Sequence, residues 1–199
     1  MSRIDRATPS LRARAPGKVR IIGGSLRGSV VSVPDLPGLR PTPNRVRETL
    51  FNWLQQRMTG ARALDLCAGS GALGIEALSR GAAHCTFVEA HAAAAAGIQS
   101  ELKRLKVDAH ALVCTQPVES ALTQLAGPFD VVFLDPPFAL NLWDSCLSAM
   151  LMRPLPLLAP SALVYVESPV SWTAPSNWRA HRLQRAGDVQ FGLYTPAGA

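Results

Sequence analysis

Asp65-Leu66-Cys67-Ala68-Gly69-Ser70-Gly71-Ala72-Leu73-Gly74-Ile75-Glu76-Ala77 is the stretch on which the fold of this 199-residue chain turns. A short apolar run ends at Leu66, small residues follow, and a helical pattern of Ala, Leu, Ile and Glu begins at Ala72. That succession is a strand, a tight loop and a helix, the repeating unit of parallel α/β sheets. Gly69 and Gly71 let backbone N–H groups approach a ligand at the helix N-terminus. The glycines at 69, 71 and 74 satisfy the spacing of a dinucleotide loop, but Asp65 stands four residues ahead of the first. A carboxylate there repels a pyrophosphate and attracts a cationic or amino-bearing ligand, such as the sulfonium and amino groups of S-adenosylmethionine. Taken alone, the loop also fits a turn that merely joins strand to helix.

Outward from this loop, strands and helices alternate. Strands are expected at 63–66, 85–89, 111–114, 131–134 and 162–167, and helices at 72–80, 92–106, 118–126 and 142–151. Most of these strands are continuous apolar runs, as expected where helices cover both sheet faces. Repeated β-α units predict a doubly wound, mostly parallel sheet with right-handed crossovers. A closing hairpin is expected at 179–183 and, after Gly187, at 190–194. At the other end, 18–22 and 29–33 predict a small β-hairpin split by Gly23, Gly24 and Gly28. Residues 34–43 hold four prolines and predict an extended connector. Thr42 is the expected N-cap, with Pro43 at the first position, of a helix reaching about Met58. The expected organisation is a disordered basic arm at 1–17, hairpin and connector at 18–42, and one catalytic domain at 43–199.

Composition narrows the partners. With 48% hydrophobic and 17% charged residues the chain has a core to bury. No apolar run has membrane-spanning length and the polar start excludes a secretory signal; Arg3, Arg6, Arg12 and Arg14 fit a short organelle presequence, but the segment lacks a convincing apolar face, and a cytoplasmic protein is expected. Four scattered cysteines without a CxxC pair read as buried thiols of a reducing compartment, with no metal site. The net charge of +6 is uneven: residues 1–62 hold twelve basic residues against three acids, and residues 63–199 hold eight against eleven. Seventeen of the twenty basic residues are arginine, whose planar fork suits phosphate. A polyanion gripped by the N-terminal third and a solvated basic tail fit this count equally.

Two further segments carry chemistry. Glu89 ends the second strand of the α/β region, twenty residues after Gly69, where a carboxylate commonly accepts from a ribose diol. Asp135-Pro136-Pro137-Phe138 follows the strand ending at Leu134. Two prolines fix the backbone and remove two donors, leaving the Pro136 carbonyl and the Asp135 carboxylate as acceptors. Together they suit the two N–H donors of an exocyclic amine, whose lone pair is thereby aimed at an electrophile. Phe138 offers a face on which a flipped-out base can stack.

These residues resemble an S-adenosylmethionine-dependent N-methyltransferase of the Rossmann-like class I. Arg20-Ile21-Ile22-Gly23-Gly24, Arg27-Gly28, Leu39-Arg40-Pro41-Thr42 and Arg45-Val46-Arg47-Glu48-Thr49-Leu50-Phe51-Asn52-Trp53-Leu54 narrow the resemblance to the RsmD family. That family methylates the exocyclic N2 of one guanine, number 966 by convention, in bacterial 16S ribosomal RNA. The resemblance implies that Asp65, Gly69, Ser70 and Gly71 line the methionine end of the cofactor and Glu89 its ribose, with Ala68 a further cofactor-binding residue. It implies that Asp135, Pro136, Pro137 and Phe138 hold the guanine amine and ring. Arg20, Arg27, Arg40, Arg45 and Arg47 match the family's basic segment, expected near RNA phosphates or the site mouth. For Arg40, Arg45 and Arg47, ion pairing with acids such as Glu48 is the competing reading.

The chain also departs from the pattern. Cys114-Thr115-Gln116 stands where the family often has Asp or Asn near the adenine; Gln116 can donate and accept there. His91 replaces a frequent acid, and His84, His110 and His181 read as structural. Cys67 lies in the cofactor loop without an adjoining base, which argues against a nucleophile. The expected partner is 16S ribosomal RNA, within the small ribosomal subunit or an assembly intermediate, with naked RNA the alternative, and a monomer suits an enzyme that reaches into a large particle. Adenine-N6 or glutamine methylation on the same motif, and a non-catalytic RNA-binding scaffold, are the alternatives. The charge division further predicts that removing residues 1–60 weakens RNA affinity more than cofactor affinity.

Overall fold

The computed structural model describes residues 17–36 and 42–198. The expectations for the arm up to residue 16 and for Arg40 lie outside them, while Gly17 already belongs to a strand. Strands β1 (Gly17–Arg20) and β2 (Val30–Val33) form the N-terminal antiparallel hairpin. After α1 (Asn44–Trp53) come β3 (Arg62–Leu66), α2 (Ala72–Ser79), β4 (His84–Glu89), α3 (Ala92–Arg104) and β5 (Ala111–Thr115). They are followed by α4 (Val118–Gln124), β6 (Phe129–Leu134), α5 (Trp143–Leu151) and β7 (Leu158–Pro169). The last two strands are β8 (Trp178–Ala186) and β9 (Val189–Pro196).

Seven strands form one sheet in the order β5-β4-β3-β6-β7-β9-β8. Neighbours from β5 to β7 pair in parallel, and β9 runs antiparallel to both β7 and β8. The α/β class, the mostly parallel sheet and the antiparallel strand near the C-terminus are thus as expected. Each strand feeds alternate side chains to opposite faces. Phe133 joins Phe51, Ile75, Phe87 and Tyr165 under α1 to α3, whereas Val132 and Leu134 join Trp143, Leu147 and Val164 under α4 and α5. Both faces are covered, which is why these strands read as unbroken apolar runs. Successive strands step outward from β3 to β5 on one side, and from β6 to β7 on the other. The order reverses between β3 and β6, and ligands of such sheets bind beyond the strand ends at that reversal.

The hairpin is built into the same core. Ile21 and Val31 are buried within the cluster beneath α1 to α3. Its turn is tied down by the fully buried Glu76 of α2, whose carboxylate accepts from Ile22 N at 2.8 Å, Gly23 N at 2.9 Å and Arg80 Nε at 2.7 Å. Gly24 has φ +76°, and a Cβ there would stand 1.7 Å from the Ser79 carbonyl oxygen, so glycine is required.

Arg47 must be reassigned from the RNA-facing set. It is fully buried, 3.6 Å from Glu76, and its Nη2 donates to Arg20 O at 2.9 Å and Asn44 Oδ1 at 2.7 Å. Its partner is Glu76, from another helix, and not the neighbouring Glu48. The start of α1 differs too: Pro43 occupies the cap position without a side-chain cap, and the helix begins at Asn44. Thr42 does not cap because its hydroxyl is engaged elsewhere. The helix ends at Trp53, followed by a 3₁₀ turn at Gln55–Arg57.

Candidate active site

Four acids stand at or just beyond the C-terminal ends of four adjacent strands: Glu89 on β4, Asp65 on β3, Asp135 after β6 and Glu167 on β7. The ion pairs of the described residues use Glu76 and Glu101 as acids, so none of these four is neutralised by a cationic side chain among the described residues. The row straddles the reversal between β3 and β6. Such a cluster suits a cationic ligand and repels a polyphosphate.

The glycine loop lies over the first half of the row. Gly69 and Gly71 adopt φ of +57° and +73°, and Cys67 also takes a positive φ of 60°. Left-handed backbone at a non-glycine residue is strained, and such strain concentrates where a loop is shaped for a ligand. Asp65 is buried and its Oδ2 accepts from Gly74 N at 2.9 Å, bracing the start of α2. Burial raises its pKa to about 8; the Gly74 bond opposes this and Glu89 adds to it. Glu89 accepts from Gly69 N and His91 N, each at 2.8 Å, which ties the glycine loop to the next turn. Ser70 is buried, and Ala68 is half-buried with its N–H on Val88 O at 2.9 Å. Gln116, half-buried, follows β5 at the same sheet end, since Thr115 pairs with Glu89. Burial pushes the Cys67 thiol up, keeping it protonated and a poor nucleophile.

The acceptors here fit a compact cation bearing a diol. Gly71 keeps the loop close to α3, because a Cβ there would stand 3.1 Å from Ile98 Cγ1. Two carboxylates and a glycine loop without a basic residue match a sulfonium, an amino group and a ribose better than a phosphate.

The second half of the row centres on Asp135. Its Oδ2 accepts from Thr42 Oγ1 at 3.1 Å, across 93 residues. Leu134 pairs with Val166, which brings Glu167 alongside Asp135. Glu167 in turn accepts from Tyr165 Oη at 2.8 Å, and its backbone carbonyl accepts from Trp143 Nε1 at 2.8 Å. Burial, then Glu167, pushes the Asp135 pKa well up, while the Thr42 bond pulls it down. Glu167 is itself raised by burial, against the Tyr165 bond. Pro136 is buried and Pro137 exposed, with the Pro137 carbonyl taken by Leu140 N at 2.9 Å. Phe138 is 41% exposed and rests edge-on against Trp143 at 5.5 Å, leaving an apolar face open beside Asp135.

Sequence reasoning missed Thr42 and Glu167 as members of this site. Glu167 reaches the site only through the pairing of β6 with β7, which the sequence does not give, and the one sequence signal for Thr42 was its place in the Leu39-Arg40-Pro41-Thr42 stretch. Arg20, Arg27 and Arg45 are exposed, as RNA contacts require. His181, read as structural, is exposed on β8. No helix of the described residues is long and apolar enough to cross a membrane.

A family model described as conserved hypothetical protein 95 matches residues 19–195. Ribosomal RNA small subunit methyltransferase D of Escherichia coli K12 is 46% identical over 181 residues, 89% of this chain and 90% of that protein. The protein of the same name from Haemophilus influenzae is 43% identical over 188 residues, 90% of this chain and 95% of its own. Among solved structures, yhhF of Escherichia coli superposes with a TM-score of 0.81 at 44% identity, covering 92% of this chain and all of that one. SMU.776, solved in complex with SAH, superposes at 0.68 with 15% identity over 92% of this chain and 56% of its own, a likeness of fold.

Proposed function

The chain belongs to the ribosomal RNA small subunit methyltransferase D family, and from that premise we propose that it methylates the exocyclic N2 of a guanine in 16S ribosomal RNA. The guanine proposed is the one numbered 966, which rests on the family resemblance. The substrate is the RNA within the small subunit or an assembly intermediate, met in the cytoplasm by a monomeric enzyme. The observation that carries this reading is the row of carboxylates, without an ion pair among the described residues, which runs from a glycine loop to an Asp-Pro-Pro-Phe turn. When bound, S-adenosylmethionine supplies an electrophilic methyl group on a sulfonium. Asp65, Gly69, Ser70 and Gly71 would hold its methionine end, Glu89 its ribose, and Ala68 and Gln116 the remaining edge.

The acceptor half works by positioning. Thr42 occupies Asp135 Oδ2, so Oδ1 is the oxygen left to accept an amine N–H. The Pro136 carbonyl takes the other N–H, and Phe138 carries the base on its open face. Held by two acceptors, the nitrogen turns its lone pair toward the cofactor side of the site. Burial, then Glu167, pushes the Asp135 pKa well up. A cation beside it favours ionisation, so the acceptor strengthens once the neighbouring pocket is filled. Asp135→Ala should therefore retain S-adenosylmethionine binding by calorimetry and lose methylation by at least about a hundredfold. Full activity of that variant on 16S RNA, with N2-methylguanine mapped by mass spectrometry, would defeat the assignment. Appearance of N6-methyladenine in place of methylguanine would transfer the reading to an adenine methylase.

A further inference from the structure

The N-terminal third has no monopoly on exposed positive charge. The segment from Ser168 to Gly187 contains no acid, yet Arg179, His181, Arg182 and Arg185 stand within it on the edge strand β8. All four are exposed, and the ion pairs of the described residues involve none of them. Strict alternation would send His181 and Arg182 to opposite faces. The β8 register slips between Ala180 and Arg182, so that Arg182 faces Leu193 and lies on the α1 side of the sheet. A bulge re-aims side chains in this way. Both residues line one polar cleft of about 450 Å³, together with Gln56 and Arg57 from the turn after α1 and with Trp53. Trp53 is fixed as a wall by stacking on Phe191 at 5.6 Å. Arg179 faces Thr195 and so shares that side, because Leu193 and Thr195 alternate together.

This cleft is separate from the carboxylate row. Thr42, at the site, precedes α1, and Arg57 follows it; a ten-residue helix spans about 15 Å. Exposed Arg45 and Asn52 lie along the intervening stretch. Arginine forks without acidic partners, set in a groove lined by amides, match the oxygens of successive phosphates. We propose that the cleft between the end of α1 and strand β8 binds the phosphate backbone of the RNA strand that carries the acceptor base, about one helix length from the site. This rests on the functional reading above and adds a second anchor to it. Charged edge strands also discourage self-pairing, but that role alone needs neither the cleft nor Arg57.

The test is the triple variant R57Q/R179Q/R182Q, with the corresponding lysine triple as control. Binding to protein-free 16S RNA and to small ribosomal subunits is measured across a salt series, beside S-adenosylmethionine binding and methylation at saturating RNA. Removing three phosphate contacts should weaken RNA binding by about tenfold and flatten the salt dependence of log K by about 2. Cofactor affinity and saturated turnover stay unchanged, and the lysine triple restores most of the binding. Unchanged RNA affinity and salt slope would overturn the proposal. A loss seen only with subunits, with protein-free RNA bound as before, would also overturn it, since the partner would then be a ribosomal protein. If the wild-type protein neither binds nor methylates 16S RNA, the functional reading itself fails, which this comparison separates from failure of the cleft.

Discussion

Asp65 keeps a carboxyl group buried on β3 with one oxygen on the Gly74 N–H, and burial lifts its pKa to about 8. A carboxyl whose folded pKa lies above its unfolded value favours the fold while neutral, and that contribution is lost as pH rises toward 8. Asp65→Asn keeps an acceptor for Gly74 and removes the charge. The variant's Tm should exceed that of the wild type by about 5 °C at pH 8.5, with the difference vanishing toward pH 4. Its S-adenosylmethionine affinity should fall, because the carboxylate that balances a cation is gone. A Tm difference that does not change with pH would mean that Asp65 is not the buried titrating group. Asp135 follows the same logic with different neighbours: Glu167 raises it and Thr42 lowers it. Neither neighbour is adjacent to it in sequence.

At the scale of elements, the contact of α1, α2 and the hairpin decides what the Arg-rich signature does. Glu76 accepts from the turn of the hairpin and from Arg80, and Arg47 lies against it. Much of the segment that carries the family resemblance is therefore scaffold, holding Thr42 at Asp135 and the exposed arginines at the surface. Removing one partner of a buried ion pair is costly because the other is left uncompensated. Arg47→Met should lower stability to denaturant by about 3 kcal/mol, with the RNA affinity of the folded protein unchanged. A selective loss of RNA binding at unaltered stability would return Arg47 to the RNA-facing set.

Over the whole molecule, a boundary drawn by charge does not coincide with one drawn by packing. Val46, Leu50, Phe51, Leu54 and Met58 are all buried in the cluster beneath the sheet, and Phe51 packs on Phe133 at 5.8 Å. Deleting residues 1–60 would expose that face of the sheet. The expected outcome is loss of the cooperative unfolding transition by circular dichroism, and with it loss of both RNA and cofactor binding. The expectation of a selective RNA defect is thus replaced. The acidic C-terminal part meanwhile contributes three arginines through β8, which a sum over residues 63–199 conceals.

Local chemistry was enough for the alternation of strands and helices, because a doubly covered strand is apolar at every position and a helix repeats near every third or fourth. It was enough also to single out the glycine loop, Glu89 and the Asp-Pro-Pro-Phe turn as candidates, since each is contiguous and its chemistry is carried by adjacent residues. Strand order was not local. The reversal between β3 and β6 brought Asp65 and Asp135 to one rim, and the β6–β7 register added Glu167. Thr42 fits an N-cap as well as a ligand of Asp135, and only the path of the chain over the sheet chose between them. Arg47 and Arg45 look alike two positions apart, yet one is buried and the other exposed, because a helix turns about 200° between them. Charge, capping and exposure are properties of three-dimensional neighbours, and those were assigned by tertiary packing.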